Sequence, residues 1–244
     1  MHQLVPEPGP VLDVLASLAD DNRPVPAHRP WVMANMVVSI DGAFAVDGRS
    51  GALGTPGDRT VFHSLRALAD VILVGAGTAR DEHYRRPVAA ADAAAIRSER
   101  GQEPAARLVL VSRRGLIPDD QPFLTGDGPD PLLVHAQPLP AVVPAGVDTL
   151  ECPDAAGGVD LPGLLGHLRS DGAQLVLCEG GPGLLGELHR QDLVDELFVT
   201  VSPRLVGGRS VGLLGSGPAL LRARRLHRLW RDEKDALFST YRRP

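Results

Sequence analysis

Aromatic side chains make up only 4% of the 244 residues, so any core has to be assembled from Val, Leu, Ala and Ile. The chain has two cysteines, Cys152 and Cys178. That number excludes a disulfide framework and the cysteine spacing of a zinc deaminase. Cys178 ends an apolar run and reads as a small core side chain. No apolar run approaches the roughly 20 residues that cross a bilayer, so no membrane partner is expected. The first ten residues lack both the basic start and the apolar core of a secretory signal, and a cytoplasmic location is expected. No two of the eight histidines lie within four residues of each other, so no helical or hairpin metal pair shows and no metal is expected. There is no Gly-x-Ser-x-Gly elbow and no phosphate-binding loop ending in Gly-Lys-Ser/Thr, which argues against a serine hydrolase and a P-loop NTPase. Strong positive charge is missing too. The net charge is −5, which argues against nucleic acid as the main partner. The stretch Arg222 to Arg231, interleaved with Leu and Trp230, reads as a solvated face or an edge strand.

Turn formers are plentiful, with 27 glycines and 22 prolines. Val11 to Ala19 has helical spacing, and Asp20 to Pro30 is a polar linker. Residues 1–30 are therefore expected to be a helix and linker ahead of a single domain over 31–244. Trp31 to Ile40 is a long strand closed by Asp41-Gly42. Thr55 to Asp58 opens a helix whose apolar stripe is Val61, Phe62, Leu65 and Leu68. Val71 to Val74 is an unbroken apolar strand of the kind covered on both faces. Further strands are expected at Leu108 to Ser112, Pro131 to His135, Val147 to Leu150, Leu175 to Cys178 and Glu196 to Ser202. A helix is expected at Leu161 to Leu168, and a terminal hairpin at Leu226 to Trp230 with Ala236 to Tyr241. Strands alternating with helices point to an α/β fold with a mostly parallel sheet.

Three strand ends carry candidate chemistry. Glu179-Gly180-Gly181-Pro182 stands between an apolar strand and a helical pattern. Two glycines there allow a ligand close to the backbone, and the start of the helix suits a phosphate or pyrophosphate. Gly75-Ala76-Gly77-Thr78 begins like a dinucleotide fingerprint and then departs from it, because Arg80 stands where a small residue is needed. Gly75, Gly77 and Thr78 are either a ligand-binding strand end or a tight turn with Thr78 as helix cap. Ser112-Arg113-Arg114 follows a third strand. It is either a polar turn or a cationic site for a 2′-phosphate, which would favour NADP over NAD. Together the ends could hold the two halves of a dinucleotide.

The runs Asn35 to Gly42, Leu65-Arg66-Ala67, Val74 to Thr78, Ser112 and Glu179-Gly180-Gly181 resemble the reductase domain of bacterial riboflavin biosynthesis. That domain is the C-terminal half of a bifunctional deaminase–reductase, with a dihydrofolate reductase-like fold. The likeness extends to free-standing actinobacterial reductase-domain proteins. It implies hydride transfer from NADPH to a phosphoribosylamino-pyrimidine, a small-molecule substrate, and a homodimer. It implies cofactor contacts at Val37, Leu53, Thr78, Glu82, Ser112 and Gly180 to Leu184 (Gly181, Pro182 and Gly183 between them); the strand-end reading adds Gly75, Gly77 and Arg113 as cofactor candidates. Substrate contacts are implied at Asn35, Ser50, Arg66 and Glu179. Arg66 could hold a substrate phosphate or simply cover its helix with its stem. Asp41 is the candidate catalytic residue, orienting the substrate or relaying a proton, with Glu179 as an anchor. Two departures stand out. The family usually has Lys at Asn35, and it follows Thr78 with Asp-Asp-Pro and a phosphate-binding Arg, for which Arg85 and Arg86 are the replacement candidates here. A pterin or folate-like substrate, or a non-catalytic NADP-binding protein, is the alternative.

Overall fold

Val71 to Val74 are all buried, the pattern of a strand covered on both faces. Around such strands the computed structural model describes residues 1–139, 143–208 and 212–244. In chain order the elements are β1 (His2–Val5), β2 (Gly9–Pro10), α1 (Val14–Ala19), β3 (Trp31–Ser39), α2 (Pro56–Leu68), β4 (Val71–Gly75), α3 (Ala76–Asp81) and α4 (Ala94–Glu99). They continue as β5 (Arg107–Ser112), β6 (Leu132–His135), β7 (Asp148–Glu151), α5 (Leu161–Ser170), β8 (Leu175–Cys178), α6 (Pro182–Arg190), β9 (Glu196–Ser202), β10 (Arg225–Arg231) and β11 (Leu237–Arg242). The expected α/β class holds. The chain divides into two compact units, Met1–Asn22 with Val32–Leu65 and Pro182–Pro244, and Arg23–Trp31 with Arg66–Gly181. The first is gathered from three separate stretches, so no linker in the sequence marks the division.

In the second unit the strands run parallel in the order β8–β4–β5–β6–β7. One core cluster joins Ile72, Val74, Leu108, Leu110 and Leu133 to Ala79 and Phe123. Each fully buried Leu or Ile contributes about 1.5–3 kcal/mol against leaving it in water. The α2 helix ends here without a glycine. The carbonyls at and just past its end are covered by later side chains: Arg97 donates to Ala67 O and Ala69 O, and Gln102 donates to Leu68 O. Parallel strands align their carboxyl ends, where open α/β sheets bind ligands.

The first unit has the strand order β2–β1–β10–β11–β9–β3. Among the described residues only β3 and β9 pair in parallel there; the terminal hairpin β10–β11 is antiparallel, as expected. Two expectations are corrected. Residues 1–30 are more than a helix and linker, because β1 adds to β10. The stretch Arg222 to Arg231 is then not an edge, and Arg228 is buried in a bidentate ion pair with Asp21. Asp21, from the expected linker, also accepts from His227 Nε2 at 3.1 Å when that nitrogen carries the proton, and lies 3.3 Å from Arg242. Asp21, Glu196 and His227 are the one metal-like group among the described residues, but the arginines already neutralise both carboxylates.

Candidate functional site

In the second unit two glycine-bearing strand ends meet. β4 runs into α3 through Gly75, whose N–H donates to Gly180 O at 2.8 Å. β8 runs into the second glycine turn, where the Glu179 N–H donates to Leu73 O at 2.9 Å. Gly180 has φ +82°, a left-handed conformation natural to glycine, and the Gly180–Gly181 peptide is cis. A Cβ on Gly181 would stand 2.5 Å from Thr78 Oγ1, so the Thr78 hydroxyl lies directly against that turn. Thr78 is inside α3 and Gly75 is its N-cap, so the reading of Thr78 as helix cap is corrected. The α3 helix itself lies in a stretch expected to be strand end and loop. Glu82 closes the helix, its N–H donating to Thr78 O. Gly77 is exposed, with only Arg80 Nη2, at 3.9 Å, near the place of a Cβ.

A cavity of about 510 Å³ opens beside this turn, within the range of small-molecule pockets. Gly77, Arg80, Ser112, Arg113 and Arg114 line it with Leu116, Ile117, Gln121 and Phe123. Ser112 Oγ accepts from the Gly115 N–H, and Arg113 O accepts from the Ala136 and Gln137 N–H groups. The turn backbone is thereby fixed while the Arg113 and Arg114 side chains stay exposed. Arg80 and Gln121 were missed as lining residues. Arg80 counted in the sequence only as a mismatch to the fingerprint, and nothing near Gln121 marked it.

Arg66 and Glu179 do come together, but on each other. Arg66 Nε and Nη2 each donate at 2.7 Å to one Glu179 oxygen, and Tyr84 O–H donates to Oε2 at 2.7 Å. The Glu179 side chain is only 2% exposed. Burial by itself would lower the Arg66 pKa, but the Glu179 carboxylate outweighs it and the net shift is upward. Burial, then the same carboxylate, pushes the Tyr84 phenol well above its ordinary value. The candidate phosphate ligand Arg66 and the candidate substrate anchor Glu179 are thus paired with each other, and the Glu179 carboxylate is enclosed. Arg86, a replacement candidate for the phosphate ligand, has its guanidinium engaged within the protein. Its guanidinium donates to Phe123 O, Leu124 O and Gly146 O and pairs with Asp130. Arg85 is exposed.

The first unit holds the other candidates. Asp41 accepts from Ser39 O–H at 2.6 Å and from the Val206 and Gly207 N–H groups at 3.1 and 2.7 Å. The Ser39 bond first, then the two backbone donors, hold its pKa down to about 2. These bonds favour its ionised form and tie it to the 206–207 backbone. Asn35 lies mid-strand in β3, and its Oδ1 is buried without a hydrogen-bond partner. Val37 is half-buried in the same strand, and Leu53 is fully buried with its N–H on Ser50 O. Pro182, Gly183 and Leu184 form the first turn of α6, where no atom lies within 4 Å of a Cβ built on Gly183.

The RibD C-terminal domain model matches residues 30–238. The chain belongs to the RibD C-terminal domain family. It is similar to the 2,5-diamino-6-ribosylamino-4(3H)-pyrimidinone 5′-phosphate reductase of Archaeoglobus fulgidus, 27% identical over 214 residues that cover 83% of this chain and 94% of that one. The reductase of the same name from Methanothermobacter thermautotrophicus is 29% identical over 201 residues, covering 79% and 86%. Among solved structures, a pyrimidine reductase-like protein from Corynebacterium diphtheriae superposes with a TM-score of 0.82 at 23% identity, covering 95% of this chain and 98% of that one. At that identity the likeness bears on the fold, and it is the fold of a RibD-type reductase domain that was expected here.

Proposed function

We infer that this protein is an NADPH-dependent reductase that converts the ribosyl group of a phosphoribosylamino-pyrimidine to a ribityl chain in riboflavin biosynthesis. The observation that carries it is the meeting of Gly75 and Thr78 with Gly180 and Gly181, beside a cavity edged by arginines. The names of the reductases it resembles support the same chemistry. The residues fit a dinucleotide. At Gly181 a Cβ would stand 2.5 Å from Thr78 Oγ1, so the backbone is bare there, as a cradle for a diphosphate requires, and Arg113 offers a cation to a 2′-phosphate.

When bound, NADPH supplies the hydride. The chain's own part is to bind and align. In the second unit Gly75, Gly77, Thr78, Gly180 and Gly181 would hold the diphosphate, with Glu82 as a further cofactor candidate; the first unit's own cofactor candidates are Val37, Leu53, Pro182, Gly183 and Leu184. Ser112 and Arg113 hold the adenosine end. Asn35, with its unpaired carbonyl, and Ser50 read the polar edge of the pyrimidine; a buried orphan acceptor gains most from a ligand donor. Asp41 keeps the 204–207 loop in place. We assign the protein to the cytoplasm as a homodimer; among the described residues no helix is long and apolar enough to cross a membrane.

A second reading, a pterin or folate-like substrate, gains from one observation: Arg86 is held by backbone carbonyls and Asp130 instead of facing a phosphate. Loss of NADPH absorbance should be followed with the 2,5-diamino-pyrimidinone ribotide, its deaminated uracil counterpart and dihydrofolate. Turnover on either ribotide is expected. Turnover on dihydrofolate alone would favour the second reading, and tight NADPH binding with no turnover on any of them would favour a non-catalytic NADP-binding protein.

A further inference from the structure

Tyr84 stands outside every cofactor and substrate set named so far, yet it touches the residue that introduces the glycine turn. Its O–H donates to Glu179 Oε2 at 2.7 Å, and the Arg66 guanidinium lies 5.3 Å from its ring centroid. Its backbone N–H donates to Ala79 O, which ties it to α3. The same α3 carries Thr78, whose hydroxyl lies against Gly181. One short segment, Thr78 to Tyr84, therefore holds the turn at two points, Glu179 on one side and Gly181 on the other. The two glycines have no side chains of their own to fix the turn, so beyond the Gly75 N–H bond to Gly180 O its position is set from its flanks. A tyrosine suits this task. Its hydroxyl stays protonated, because burial and the adjacent carboxylate oppose its ionisation. Its ring packs at the edge of the core cluster of Ile72 and Val74. Arg66, for its part, cancels the Glu179 charge, which would otherwise repel an anion bound at the next residues.

We propose that Tyr84 is a positioning residue for the cofactor turn: its hydroxyl fixes Glu179 and so keeps the Gly180–Gly181 backbone in register with Thr78 for a dinucleotide diphosphate. The inference rests on the NADPH reading given above. It predicts that the hydroxyl matters for cofactor binding beyond the packing of the ring.

The test compares Tyr84→Phe and Tyr84→Ala with the unaltered protein by NADPH fluorescence titration, by steady-state kinetics and by unliganded thermal unfolding. Tyr84→Phe should weaken NADPH binding and raise its KM about tenfold, with kcat within about twofold and a melting temperature lowered by only a few degrees. Tyr84→Ala should bind NADPH no more than about threefold more weakly than Tyr84→Phe. If Tyr84→Phe binds NADPH like the unaltered protein while Tyr84→Ala does not, only packing matters and the proposal is overturned. A cycle with Thr78→Ala gives a second reading. Both residues hold one turn, so the double variant should lose less affinity than the product of the single losses, and independent losses would count against the proposal. An unaltered protein that fails to bind NADPH would instead remove the functional reading beneath it.

Discussion

Gly181→Ala is the substitution that most directly probes the meeting of the two strand ends. The new Cβ would stand 2.5 Å from Thr78 Oγ1, about 0.9 Å short of the 3.4 Å at which ordinary contact begins. Gly181 does not have a positive φ, so the backbone itself accepts alanine and the clash is the whole penalty. Overpacking of this kind costs about 1–3 kcal/mol. If the displaced turn is the one that grips NADPH, affinity should fall about 5- to 150-fold. The cause can be isolated. Thr78 Cβ lies 3.8 Å from the same point, already an ordinary contact, so Thr78→Ala removes the clash along with the hydroxyl. By itself Thr78→Ala should cost about fivefold in affinity, the worth of one hydrogen bond of about 1 kcal/mol. The double variant should bind like Thr78→Ala, because the alanine at 181 then has room. Calorimetric titration with NADPH, beside thermal unfolding of each variant, reads both quantities. Losses that simply multiply in the double variant would refute the contact as the source of the effect.

Arg86→Met should lower stability by roughly 2–4 kcal/mol in denaturant unfolding, because three backbone carbonyls and Asp130 lose their donor. A raised KM for a phosphorylated substrate without loss of stability would instead return Arg86 to the substrate site. Arg113→Ala should reduce the preference for NADPH over NADH roughly tenfold, an effect on the order of 1.4 kcal/mol, and an unchanged ratio would remove Arg113 from the 2′-phosphate site. Asp41 has a folded pKa of about 2 against an ordinary 3.8, so its contribution to stability is complete above the ordinary value and lost as pH falls through the folded one. Asp41→Asn should therefore flatten the acid limb of the stability profile between about pH 4 and pH 2 while leaving the neutral pH dependence of turnover in place; a shifted neutral limb would restore Asp41 as a proton carrier.

The strand ends were legible because an apolar run followed by glycine leaves a local mark, as at Val74-Gly75 and Cys178 to Gly181. Glu196 to Ser202 appears with its expected bounds, and the terminal hairpin lies within a residue of expectation at either end. What stayed hidden depends on distant partners. Arg66 and Glu179 are 113 residues apart, and no local pattern says that they pair with each other and not with a ligand. Arg86 reads as any arginine in a polar loop until Phe123, Leu124 and Gly146 turn their carbonyls toward it. β1 has only four residues and becomes a strand through pairing with β10. Asp21 sits in a proline-bearing polar run, and its burial comes from Arg228, 207 residues onward.

Direct titration of the unaltered protein with NADPH and with NADH puts the account's main claim at greatest risk. Saturable binding of NADPH, at least about tenfold tighter than NADH, is the predicted result. No binding of either nucleotide, or equal affinity for both, would contradict the assignment of the glycine turn and the Arg113 cavity to a 2′-phosphorylated dinucleotide.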